Sequence, residues 1–75
     1  SISYNIPKTG KIHLAVFDLN GRLIKTLKNG EAKPGYYSVI WDAKDENGVG
    51  VSTGIYFIKL TSLSFLDTHK ILYLK

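Results

Sequence analysis

The sequence predicts an all-β domain, an antiparallel sandwich of six to seven strands. Three observations carry the prediction. Apolar and polar residues alternate with period two through most of the chain, which puts them on opposite faces of strands. Turn residues recur about every eight to twelve positions. No segment sustains a helical periodicity: Arg22 to Lys28 is the nearest approach, and Asn29-Gly30 stops it after two turns. Short strands at this spacing argue for the immunoglobulin type of sandwich, here without a disulfide because the chain has no cysteine.

Ser1 to Ile6 alternates cleanly, with Ile2, Tyr4 and Ile6 on one side. Pro7 ends that strand, and Pro7-Lys8-Thr9-Gly10 is turn chemistry. Lys11 to Asp18 is the second strand, with Ile12, Leu14 and Val16 on its apolar side, and the short turn predicts a hairpin between the two. Asn20-Gly21 tolerates positive φ and marks the next hairpin. Asp18 is placed to close it by accepting backbone N–H bonds, with Arg22 as an ion-pair partner. Arg22 to Lys28 is the third strand, and Asn29 to Pro34 reads as a polar connection.

Gly35 to Tyr56 reads as strand, polar loop, strand, and holds the only tryptophan, Trp41. Tyr37, Val39 and Trp41 share one face, so Trp41 is the expected central aromatic of the core. Full burial of its ring would remove roughly 200 Å² from water, worth about 5 kcal/mol. Asp42 to Thr53 forms the loop, and Gly54 to Ser62 the next strand. Thr68 to Lys75 is the last, with alternation running to the end of the chain. A seventh short strand has room in either long connection.

The chain is 75 residues long, which bounds it to one domain, residues 1–75, near the lower limit for a stable core without disulfides. Its net charge of +4 is scattered rather than gathered into a basic stripe with stacking aromatics, so nucleic acid is not an expected partner. No apolar run approaches the length of a membrane-spanning helix. Ser1 opens directly into a strand, without Met or a leader, so the chain reads as a piece of a longer protein.

No catalytic constellation stands out. Ser38, His13 and Asp18 lack a nucleophile-elbow context. Asp42, Asp45 and Glu46 share one loop, with nothing to bury either member of a carboxylate pair and raise its pKa. Non-catalytic is therefore the expectation, with no cofactor. Asp42, Asp45 and Asn47 before Gly48 resemble part of a calcium loop. Position 43 supplies no side-chain oxygen, however, and no carboxylate closes the loop, so an Asx-type turn at Asn47-Gly48 is preferred over a metal site.

Asp18-x-x-Gly21-Arg22, Trp41-Asp42 followed by Asp45-x-Asn47-Gly48, Gly54-x-Tyr56 and the final His69-Lys70-Ile71-Leu72-Tyr73-Leu74-Lys75 stand in a distinctive order. In this order the chain resembles the carboxyl-terminal sorting domains (type A) of the bacterial type IX secretion system. It is similar also to the immunoglobulin-like domain of flagellar hook-capping proteins. The sorting resemblance implies an address label at the end of an exported protein, outside the cell or on its outer surface, with the secretion machinery and an upstream cargo domain as partners. The positions that match are Gly54, Tyr56 and the last strand, Lys70, Ile71, Leu72, Tyr73, Leu74 and Lys75. That strand would add to a sheet edge on the machinery, or its lysines would simply guard an edge from aggregation. Such domains usually follow an Asn-Pro-rich lead; this chain starts at Ser1, after the place of that lead, so the junction to a cargo lies outside the sequence. The alternatives are a spacer or accessory module of an extracellular enzyme and, from the second resemblance, a flagellar hook-cap domain. Contact with polysaccharide would then require Tyr36, Phe57 or Phe65 to form an exposed aromatic platform.

Overall fold

The computed structural model describes residues Ser1–Lys75. Six strands follow in order: β1 (Ile2–Ile6), β2 (Gly10–Asp18), β3 (Leu23–Ala32), β4 (Gly35–Val39), β5 (Gly54–Ser62) and β6 (Leu66–Tyr73). They form two antiparallel sheets, β1-β4 and β3-β2-β5-β6. The fold is thus the all-β, immunoglobulin-like sandwich that period and turn spacing predict, with six strands.

The core lies where β2 pairs with β5. Leu14 stands opposite Leu60 and Val16 opposite Ile58, and all four are essentially removed from water. Ile6 of β1 closes over them from the other sheet at 1% exposure. Ile2, Tyr4, Tyr37 and Val39 complete the facing layer, half-buried.

Four expectations about the strands need correction. β1 and β2 do not form a hairpin; β1 pairs with β4, with Ile2 opposite Val39 and Ile6 opposite Gly35. Pro7 to Thr9 instead carries the chain from one sheet to the other, so the apolar rows of β1 and β2 face each other across the core. Alternation alone specifies a face, and is silent on whether two neighbouring strands lie side by side or face to face. Secondly, β3 does not stop at Asn29-Gly30. It continues to Ala32 because β2 supplies partners for Asn29, Gly30, Glu31 and Ala32, and Gly30 takes a positive φ of 140° that another residue would resist. Two register shifts against β2 accommodate the longer strand.

Thirdly, β4 ends at Val39, so Trp41 lies beyond the strand and is half-buried rather than central. Its ring meets Tyr56 edge-on at 5.4 Å and Tyr73 at 6.3 Å, and its indole N–H donates to the Lys44 carbonyl at 3.0 Å. The polar edge of an indole is most cheaply satisfied at a rim, where a loop carbonyl can reach it. Lastly, the final strand spans Leu66–Tyr73, two residues earlier than the alternation indicates. The chain end is still held, since the Lys75 N–H donates to Thr53 Oγ1 at 3.0 Å.

A tyrosine secures each sheet at the start of a strand. In Gly35-x-Tyr37 the phenol donates back to the Lys33 carbonyl at 2.6 Å; in Gly54-x-Tyr56 it donates to the Ser52 carbonyl at 2.7 Å. Both bonds span four residues and resemble the tyrosine corner of sandwich domains. The glycine leaves room for the ring: a Cβ on Gly35 would meet the Tyr37 ring at 3.7 Å, and one on Gly54 the Tyr56 ring at 4.0 Å. Tyr56 is the more buried of the two, at 6% exposure. Tyr56→Phe is expected to destabilise the domain by about 1 kcal/mol by leaving the Ser52 carbonyl without this donor, and Tyr37→Phe by less. Urea unfolding of the two variants measures the difference; equal stability to the parent would show that the corners are incidental.

Candidate functional site

The polar side chains are mostly engaged in shaping turns. Asp18 is the fullest case. Its Oδ1 accepts the N–H groups of Asn20 and Arg22 at 2.9 Å, and its Oδ2 accepts Arg22 Nε at 3.0 Å. The backbone bond from Arg22 is the main cause that lowers the Asp18 pKa below its ordinary 3.8, with the Arg22 side chain and the Asn20 N–H adding to it against the opposing cost of desolvation. The turn predicted at Asn20-Gly21 therefore forms, with Gly21 at φ 82°.

The candidate calcium residues are arranged in the same way. Asp45 Oδ1 accepts the N–H groups of Asn47 and Val49 at 2.9 and 3.0 Å, and Asp42 Oδ1 accepts that of Lys44 at 3.2 Å. Gly48 turns at φ 79°, and Ala43 is held at φ 61° between Asp42 and Lys44. Glu46 reaches out from the loop to β3. Its carboxylate accepts the Thr26 N–H and its own N–H donates to the Ile24 carbonyl, so it caps the free edge of β3. No three His, Asp or Glu side chains converge anywhere to hold a cation.

Nor does the fold gather a nucleophile and its base. His13 Nε2 lies 3.4 Å from Thr26 Oγ1 on the larger sheet, Asp18 is engaged with Arg22, and Ser38 belongs to β4 of the other sheet. The principal concavity is an open groove of about 590 Å³. Tyr4 and Tyr37 line it with rings stacked at 5.4 Å and 17°, facing Asp67 and His69, which are themselves 3.0 Å apart. Burial, then the neighbouring Tyr37, raises the Tyr4 pKa above 10.0. Tyr36 stands at the groove margin, 90% exposed, whereas Phe57 and Phe65 are half-buried, so the three do not form the platform considered for polysaccharide.

The residues matched to a sorting signal fall into two groups. Gly54 and Tyr56 are structural neighbours in a buried corner. Lys70, Leu72, Leu74 and Lys75 are exposed on or just after β6, while Ile71 and Tyr73 pack toward the core. The sequence reading missed the Gly-x-Tyr repetition, at Gly35-Tyr36-Tyr37 and Gly54-Ile55-Tyr56, although both copies are plain in the sequence.

Comparison with known proteins places this sandwich in a family. Residues 2–64 match the FlgD Ig-like domain, and the chain belongs to that family. It is 35% identical over 52 residues to the basal-body rod modification protein FlgD of Salmonella typhimurium, and equally to that of Salmonella typhi. The aligned segment is 69% of this chain but only 22% of either relative, so the chain corresponds to about a fifth of those proteins. No solved structure matches it. Of the two resemblances in the sequence, the flagellar one is thereby shown and the type IX sorting domain is not.

Asp18 yields a pH prediction with a definite sign. Its folded pKa is depressed, so its contribution to stability is present above the unfolded value and is lost as pH falls through the folded one. Asp18→Asn is expected to flatten the fall of stability below about pH 4. Urea midpoints of parent and variant between pH 2 and 6 test it; parallel curves across that range would contradict the assignment.

Proposed function

We propose that this chain is the immunoglobulin-like module of a flagellar hook-capping protein, acting by assembly rather than by catalysis. The observation that carries the reading is the match of residues 2–64 to the FlgD Ig-like domain. The geometry agrees with it: the carboxylates of Asp18, Asp42, Asp45 and Glu46 all accept backbone N–H bonds. Such a module presents surface to its neighbours and works outside the cell, where the hook is built. The test is a chimera. This chain replaces its 52-residue counterpart in the Salmonella typhimurium protein, expressed in a strain lacking FlgD. Recovery of swimming is the expected outcome. A chimera that accumulates as folded protein and leaves the cells without hooks would overturn the reading.

One observation favours a second reading, in which the last strand addresses an exported protein. β6, with Lys70 within it and Lys75 just after it, lies beyond the family match, which ends at residue 64. Lys70, Leu72, Leu74 and Lys75 of that strand and its tail are accessible. A fluorescent protein carrying this chain at its end, sent to the periplasm of a bacterium with a type IX system, distinguishes the two. Under this reading it reaches the surface, and a strain without the system retains it. Retention of the folded fusion in both strains would count against a sorting role.

A further inference from the structure

The two edges of the larger sheet are treated differently. At β3 the ladder is twice shifted against β2, and Glu46 occupies the free side at Ile24 and Thr26. At β6 the register with β5 is unbroken from Tyr73 opposite Gly54 to Leu66 opposite Thr61. No hydrogen bond from outside that ladder reaches Leu66–Tyr73. The strand carries no proline and no bulge. Its protection is side-chain charge alone, Lys70 on the outward row and Asp67 and His69 on the row facing the other sheet, which leaves the backbone groups of the edge accessible to a partner of matching charge.

Side-chain chemistry makes this edge selective. Leu66, Thr68, Lys70 and Leu72 alternate along the outward row of β6, while Ile71 and Tyr73 face the core. Leu66 and Leu72 are each 66% exposed. The register sets Lys70 beside Phe57 and Thr68 beside Lys59 on β5, and Lys59 lies 5.0 Å over the Phe17 ring. No carboxylate stands on the outward rows of these two strands.

We propose that β6 is a docking edge for an extended, carboxylate-bearing segment of a partner protein, which joins the sheet as a seventh strand. Main-chain bonds to Leu66–Tyr73 would hold it, and the side chains on its outward face would set apolar groups beside Leu66 and Leu72 and a carboxylate beside Lys70. Charge argues for this occupant over a second copy of the chain, whose own net charge is +4. The inference rests on edge geometry and charge, and it stands or falls separately from the flagellar reading.

The probe is the end-capped peptide Val-Thr-Glu-Thr-Glu-Thr-Val-Thr, one face of which reads valine, glutamate, glutamate, valine, titrated into the ¹⁵N-labelled 75-residue chain. Amide shifts and slowed exchange are expected at Leu66–Tyr73, with the β3 edge unchanged. The matching peptide with lysine in place of glutamate should bind distinctly more weakly. Lys70→Glu should weaken the glutamate peptide about threefold, the scale of one exposed ion pair, and leave the rest of the spectrum in place. Equal binding of both peptides, shifts confined to β3 or the tyrosine groove, or no binding at millimolar peptide would overturn the proposal. So would concentration-dependent self-association through β6, which would identify a second copy as the occupant.

Discussion

Everything in this domain depends on one pairing, β2 against β5. It places Leu14 beside Leu60 and Val16 beside Ile58, and these four with Ile6 make up most of the volume hidden from water. Only nine of 75 residues are buried, and no disulfide supplements them. In so small a core each large side chain is a substantial part of the net stability. The half-buried layer of Tyr4, Tyr37, Val39 and Trp41 is then a necessary cover, because two strands must shield a four-stranded sheet.

The same scarcity explains where the polar groups go. Asp18, Asp45, Tyr37 and Tyr56 each satisfy backbone groups at a corner, so the turns are rigid without drawing apolar area from the core. Glu46 extends this to a sheet edge, which it closes on β3. With those groups committed to structure, accessible surface remains, among other places, on the outer face of β5 and β6, along the edge of β6 and in the tyrosine groove.

Much of this was legible in the residues. The bounds of β5 and the Asp18 turn follow from local chemistry, since a period of two and an Asn-Gly dipeptide constrain φ and ψ within a few residues. An Asx-type turn around Asn47-Gly48 was legible for the same reason, although the carboxylate that makes it belongs to Asp45. The order of motifs carried the family resemblance, although its sorting branch reached beyond what comparison shows. Trp41 was placed too deep because alternation was extended past Val39, where the strand ends and a loop carbonyl becomes the better partner for the indole N–H.

By itself the sequence determined the secondary structure class, the faces of the strands and the chemistry of the turns, because each depends on neighbours in the chain. That β1 pairs with β4 rather than β2, that β3 runs through Asn29-Gly30, and that Glu46 guards one edge while the backbone of β6 stays accessible are settled by three-dimensional packing. Those outcomes depend on contacts between residues distant in sequence. A strand's alternation says which side is apolar, but the choice of lateral partner belongs to the arrangement that buries the most apolar surface while leaving the fewest backbone groups unpaired.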